Sequence, residues 1–132
     1  MTETLYPALP DDINRAARDV LQAACEAKLS LATAESCTGG MLASLLTDVE
    51  GVSSAFERGF VVYSKDAKCE LLHIARDTVE RCNAVSREVA VAMAVGALTA
   101  SHADIALAAS KSAIPCVVAR STASCRCRSS IA

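Results

Sequence analysis

The 132-residue chain has no uninterrupted apolar run approaching the roughly 20 residues that a membrane-spanning helix requires, although 52% of its residues are hydrophobic. Its N-terminus lacks a basic start followed by an apolar block, so we expect no secretory signal. A chain of this length is typical of one domain with a single core. The sequence therefore predicts one cytoplasmic domain over residues 1–132, without a membrane partner.

Metal-ligand spacing is also missing. Cys125 and Cys127 form a C-x-C pair, but no second pair completes the pattern of a zinc site. Four other cysteines are widely spaced in helix-like segments: Cys25, Cys37, Cys69 and Cys82. That spacing favours free thiols in a reducing compartment over a disulfide scaffold. We expect no metal and no other cofactor.

Acidic residues are absent from the last part of the chain. Residues 1–104 carry all 15 acids and 9 of the 13 Lys and Arg residues, a net charge of −6, whereas residues 105–132 carry four bases, a net charge of +4. A basic tail can indicate a nucleic-acid-binding arm. Here the bases are sparse and no aromatic residue accompanies them, so nucleic acid is not an expected partner.

Short apolar segments alternate with amphipathic ones along the chain. Strands are predicted at residues 29–34, 59–63 and 104–109, and residues 114–119 are a weaker candidate for a further strand. Helical periodicity fills the segments between the first three. This alternation predicts a three-layer α/β/α domain with a largely parallel or mixed sheet.

The most suggestive residue for chemistry is Ser36, at a predicted strand-to-helix turn. If the helix begins near Cys37, the Ser36 hydroxyl can simply cap it. Alternatively, the amides of Cys37, Thr38 and Gly39 can stabilise an oxyanion or hold a phosphate. Gly39 and Gly40 would let a substrate approach the backbone, so Thr38, Gly39 and Gly40 are candidate substrate-binding residues. The segment is neither a Walker loop nor a G-x-S-x-G elbow.

A nucleophile at this turn needs a base. Cys37 is a rival nucleophile, but neither of the two histidines shows any sign of reaching it. With so few histidines, a desolvated lysine is the natural base for Ser36, and both Lys65 and Lys68 follow the second predicted strand. Tyr63, at the end of that strand, is either a core residue with a solvated hydroxyl or a substrate contact.

Four segments resemble one known family in order and spacing. They are residues 33–40 (TAESCTGG), 51–68 (GVSSAFERGFVVYSKDAK), 83–98 (NAVSREVAVAMAVGAL) and 103–108 (ADIALA). The chain thus resembles the C-terminal domain of the CinA (competence/damage-inducible) proteins, which is similar to nicotinamide-nucleotide amidases.

The resemblance implies a nicotinamide-nucleotide amidohydrolase. Such an enzyme hydrolyses the carboxamide of nicotinamide mononucleotide, its small-molecule partner, to nicotinate mononucleotide and ammonia without a metal. The family's nucleophile falls on Ser36, its lysine partner on Lys68 and its tyrosine on Tyr63, a substrate-binding residue. Lys65, where many members carry Asn, does not match the catalytic lysine. A homo-oligomer is compatible with the resemblance.

The resemblance covers about residues 12–108. Family members normally continue into a glycine-rich turn similar to T-G-I-A-G-P, whereas this chain has no glycine after Gly96. We therefore expect residues 1–109 to be family-like and residues 110–132 to form a divergent tail, as in a C-terminally truncated domain whose end is read in a shifted frame. The alternative function is a truncated, poorly stable and non-catalytic remnant that retains nucleotide binding or oligomer contacts.

Overall fold

A computed structural model describes residues 9–82, 86–111 and 116–120. Its helices are α1 (Asp11–Glu26), α2 (Met41–Thr47), α3 (Lys65–Leu72), α4 (Arg76–Arg81) and α5 (Arg87–Thr99). Its strands are β1 (Leu31–Glu35), β2 (Phe56–Val61), β3 (Ile105–Ala109) and β4 (Cys116–Ala119), and a single 3-10 turn (Ser53–Ala55) precedes β2. No helix in these ranges combines the length and the apolar character needed to cross a membrane.

The strands form one mixed sheet in the order β2-β1-β3-β4. β1 pairs in parallel with both β2 and β3, whereas β4 is antiparallel to β3. At the end of β1, Glu35 is aligned with Val61 on one side and with Ala109 on the other. The carboxyl ends of three strands therefore meet at one edge of the sheet, where ligands commonly bind in open α/β folds.

The pairing of β1 with β2 contains an irregularity. Leu31 is aligned with Phe56, but the next residue, Ala32, is aligned with Arg58. Glu57 is thus an extra residue in β2, which is the arrangement of a β-bulge. From that point to the end of β1 the register is regular.

Helices cover both faces of the sheet because side chains alternate along each strand. Ala32 and Ala34 of β1 belong to an apolar cluster with Met93 of α5. Leu31 belongs to a second cluster with Leu21 of α1. The sheet therefore lies between α1 and α2 on one face and α3, α4 and α5 on the other, which confirms the predicted α/β class with a mixed sheet.

Arg120 joins β4 to the turn between α5 and β3. Its guanidinium donates to the main-chain oxygens of Leu98, Ser101 and Ala103 at 2.6, 3.1 and 3.0 Å. Its main-chain N–H donates to the oxygen of Asp104 at 2.7 Å. Residues 116–120 therefore pack as part of the sheet, whereas most of the predicted divergent tail, with Cys125 and Cys127, lies outside the described residues.

Candidate active site

Ser36 directly follows β1 at the carboxyl edge of the sheet. Its N–H donates to the oxygen of Ala109, the last residue of β3, at 3.1 Å. The oxygen of the preceding residue, Glu35, accepts from the N–H of Val62, just after β2, at 2.8 Å. The peptide group between Glu35 and Ser36 is therefore held by backbone hydrogen bonds to the ends of both neighbouring strands.

The turn after Ser36 differs from the predicted one. We expected the helix to begin near Cys37, but α2 begins at Met41 and has no side-chain cap. Gly39 and Gly40 have φ angles of +59° and +102°, in the left-handed region that favours glycine, and they delay the helix. The interpretation of Ser36 as a helix cap is therefore wrong, and its hydroxyl is not used by the helix.

Within the described residues, three amides of this turn have no acceptor. The N–H of Gly39 donates to the oxygen of Ser36 at 3.2 Å, so the predicted availability of that amide is wrong. Among the described residues, no hydrogen-bond acceptor is found for the N–H groups of Cys37, Thr38 and Gly40. Since the amides of Cys37 and Thr38 directly follow Ser36, they are the nearest of these donors along the chain to an oxyanion formed at its hydroxyl.

Glu35 is a residue of this site that the sequence reasoning missed. Its side chain is 0% exposed. One carboxylate oxygen accepts from the Thr38 hydroxyl at 2.8 Å and from the Leu42 N–H at 2.7 Å, and the other accepts from the Ala43 N–H at 3.0 Å. The available sequence signal was an acid at the end of an apolar strand segment. A carboxylate is buried there only if hydrogen-bond donors surround it, so its position predicts such donors nearby.

Lys68 lies on α3 and is 2% exposed. Its Nζ atom lies 3.3 Å from the Oγ atom of Ser36 and donates to the main-chain oxygen of Tyr63 at 3.1 Å. No ion pair with a carboxylate is formed by this amine within the described ranges. Burial lowers the pKa of Lys68 from its ordinary value, and the charge of Cys37 opposes that shift. The structure thus brings Ser36 next to a desolvated amine.

The other candidates occupy different positions. Lys65 is exposed at the first position of α3, so it lacks the burial that a neutral lysine base needs. Tyr63 is 78% exposed, so its interpretation as a core residue is wrong. The main-chain oxygen of Tyr63, rather than its side chain, contacts Lys68. Cys37 is exposed, and no hydrogen bond joins it to either histidine in the described part of the chain.

Other features of the described residues lie apart from Ser36 and Lys68. An apolar groove between α3, α4 and α5 is lined by residues that include Leu72, Ile74, Val95 and Gly96, and it contains neither Ser36 nor Lys68. No three His, Cys, Asp or Glu side chains gather within residues 9–82, 86–111 and 116–120 as a metal centre would require. The carboxyl edge of the sheet is therefore the candidate active site.

Residues 13–120 match the family described as the CinA C-terminal domain. A CinA-like protein from Chlorobium limicola is 56% identical over 82 residues, which are 62% of this chain and 19% of that protein. The nicotinamide-nucleotide amidohydrolase PncC from Escherichia coli K12 is 48% identical over 86 residues, which are 65% of this chain and 52% of that protein. The chain thus matches only about half of the amidohydrolase's length.

Solved structures share the fold. The competence/damage-inducible protein CihA from Agrobacterium tumefaciens has a TM-score of 0.79 and 36% identity, with 90% of this chain and 79% of that chain covered. A CinA superfamily protein from Escherichia coli has a TM-score of 0.78 and 28% identity, with 93% and 80% covered. In both, the architecture described above is retained over most of the two chains.

Proposed function

The chain belongs to the CinA C-terminal domain family, and from that premise we propose that it is a nicotinamide-nucleotide amidohydrolase acting through a Ser36–Lys68 dyad. The proposed substrate is nicotinamide mononucleotide, whose carboxamide becomes a carboxylate as ammonia leaves. The observation that carries the proposal is the 3.3 Å separation between Lys68 Nζ and Ser36 Oγ. A hydroxyl beside a buried amine is one arrangement that activates a serine for acyl transfer.

The first step is the activation of Ser36. Only the neutral amine of Lys68 can accept the hydroxyl proton, and burial favours that neutral form. As the proton moves to Nζ, Ser36 Oγ bonds to the carboxamide carbon and the C=O double bond opens to an oxyanion. The Tyr63 oxygen, 3.1 Å from Nζ, keeps the amine oriented toward the hydroxyl.

The second step is the expulsion of ammonia. In the proposed geometry the N–H groups of Cys37 and Thr38 stabilise the tetrahedral oxyanion. Protonated Lys68 returns its proton to the leaving nitrogen, the C–N bond breaks, and an ester of Ser36 remains. Water then attacks this ester with Lys68 again as base, which releases nicotinate mononucleotide and restores the hydroxyl.

Substrate binding is proposed for the residues around the dyad. The exposed ring of Tyr63 can cover the substrate without disturbing the core. Gly39 carries no side chain, and a Cβ atom placed there would meet no atom within 4 Å, so the backbone is open to a close approach. Thr38 and Gly40 complete this surface on the same turn.

The test is ammonia release from nicotinamide mononucleotide by the purified chain. We expect turnover, its loss in Ser36→Ala, and its retention in Ser53→Ala, which removes an exposed hydroxyl from the 3-10 turn. Intact-mass measurement after rapid acid quenching should show the acyl adduct on Ser36. A folded chain that releases no ammonia contradicts the proposal, and substrate binding without turnover would favour the non-catalytic alternative.

A further inference from the structure

We infer that Glu35 is the positioning residue of this site, which fixes the turn over residues 36–40 so that Ser36 and the two adjacent amides face the same reacting atoms. The inference rests on the proposed function. It concerns a residue that takes no part in the proton transfers described above and does not contact Lys68 through any ion pair in the described residues.

The contacts of Glu35 join three parts of the site. Glu35 itself ends β1, the Thr38 hydroxyl lies in the middle of the turn, and the N–H groups of Leu42 and Ala43 lie in the first turn of α2. All three donor–acceptor distances fall between 2.7 and 3.0 Å. One buried carboxylate therefore fastens the strand, the turn and the helix to one another.

The same contacts decide which amides remain available. Leu42 and Ala43 donate to Glu35, and Met41 donates to the oxygen of Thr38 at 3.1 Å, so these amides of α2 are occupied. The N–H groups of Cys37, Thr38 and Gly40 are left without an acceptor among the described residues. Glu35 thus engages amides of the helix, and the two amides that directly follow the nucleophile stay available to the oxyanion.

Two properties indicate that Glu35 positions the turn over residues 36–40 rather than stabilising the fold in general. The Thr38 hydroxyl donates to Glu35, three residues earlier in the chain. This contact restrains the backbone between the two residues, which is that of Ser36 and Cys37. Gly39 and Gly40 next to it have positive φ angles and little steric restraint, so the turn needs an external anchor. Loss of the anchor would displace the amides relative to the Ser36 hydroxyl.

Glu35→Gln is the principal variant. It keeps the side-chain volume but replaces one carboxylate oxygen, which accepts hydrogen bonds, by an NH2 group. This group then faces a hydrogen-bond donor of the turn or of α2. We expect kcat for ammonia release to fall about 10- to 100-fold with KM unchanged, since small misplacements of reacting groups cost factors of this size. The control Glu50→Gln removes the same charge at an exposed position after α2 and should leave kcat unchanged.

A double-variant cycle separates positioning from stability. Thr38→Val removes the hydroxyl that Glu35 accepts from, and Thr38→Ser retains it. If Glu35 acts through Thr38, the double variant Glu35→Gln/Thr38→Val should lose no more kcat than the worse single variant, and Thr38→Ser should lose less kcat than Thr38→Val. Multiplied losses would overturn the inference, and so would a shifted acid limb of the pH profile, which would make Glu35 an electrostatic partner of Lys68.

A fluorophosphonate probe distinguishes failure of this inference from failure of the proposed function. Ser36 Oγ bonds to phosphorus as fluoride leaves, Lys68 takes up the hydroxyl proton, and intact mass reports the labelling rate. Labelling of Ser36 without ammonia release would reject the substrate, and slower labelling in Glu35→Gln would still support positioning. Unchanged labelling in a folded Glu35→Gln variant would overturn the inference, as would a folded wild-type chain that neither turns over nor labels. If Glu35→Gln does not fold, Thr38→Val against Thr38→Ser decides by the same rates.

Discussion

The Nζ atom of Lys68 lies 3.3 Å from the Oγ atom of Ser36, across 32 residues of sequence. The two side chains come from successive β-to-α connections: Ser36 follows β1, and Lys68 lies on α3, which follows β2. Because these strands are parallel neighbours, their carboxyl ends lie side by side. The topology of the sheet thus brings together two residues that are far apart in the sequence.

The lysine pair on α3 gives a matched comparison. Lys68→Met should lower kcat for ammonia release by about 10²- to 10⁴-fold, the usual contribution of a general base. Lys65→Met removes the same charge from an exposed position three residues earlier and should retain activity. Steady-state kinetics of the two variants measure this difference. Equal losses in both would contradict the assignment of the base to Lys68.

The rate should depend on pH through Lys68. The reaction needs the neutral amine, so kcat/KM should fall about tenfold per pH unit on the acid side of the apparent pKa. Burial lowers the pKa of Lys68, so the midpoint should lie below the ordinary value of 10.5. A pH–rate profile of the wild-type chain measures it. A rate that is independent of pH below 10.5, or that rises toward acid, would contradict this prediction.

Stability should also respond to the buried amine. The pKa of Lys68 is lower in the folded chain than in the unfolded chain, so between the two values the unfolded chain binds more protons and stability rises with pH. Below the folded pKa the cost of burying the ammonium is fully present. Lys68→Met removes this cost, so its Tm advantage over the wild type should shrink as pH rises toward 10.5.

Thermal unfolding of Lys68→Met and Lys65→Met over the same pH series measures the effect. Lys65 is exposed, so its variant should follow the wild-type curve at every pH. A constant difference between Lys68→Met and the wild type would show that the amine is equally protonated in both states of the chain.

Tyr63 should act through its side chain in binding and through its backbone in holding Lys68. Tyr63→Ala should raise KM, while its effect on the free energy of unfolding stays within about 0.5 kcal/mol, because the ring is 78% exposed. The acid limb of the pH profile should not move, since the contact with Nζ is made by the main-chain oxygen. An unchanged KM would remove Tyr63 from the substrate-binding surface, and Tyr63→Phe would show whether the hydroxyl matters.

The alternation of apolar segments was sufficient to predict the fold class. The expected strand at residues 29–34 corresponds to Leu31–Glu35, and the one at residues 104–109 corresponds to Ile105–Ala109. The expected strand at residues 59–63 begins earlier, at Phe56, because Phe56 and Arg58 pair with β1 and the polar side chains of an edge strand reach solvent. Strand order and the antiparallel direction of β4 depend on contacts between distant segments, which periodicity does not encode.

The site was harder to predict than the fold. A serine at the end of an apolar strand segment predicts a helix start near Cys37, but two glycines with positive φ angles extend the connection to Met41. The position of Tyr63 at the end of the predicted strand is compatible with a core residue or a substrate contact, and the strand ends earlier, at Val61. The buried carboxylate of Glu35 accepts hydrogen bonds from N–H groups of the following helix, and the alternation of residues along the strand does not predict these contacts.

The bulge at Glu57 has a consequence for the alignment of the dyad. If the extra residue were removed and the pairing of Leu31 with Phe56 kept, β2 would pair with β1 one position out of step, and its end would move by about 3.3 Å along the strand axis. A displacement of that size away from Ser36 would carry Nζ beyond hydrogen-bond distance of Oγ, too far for proton transfer. A single inserted residue at the entrance of an edge strand therefore sets the spacing of two side chains at its opposite end, and its deletion should silence the dyad while leaving both of its members in the sequence.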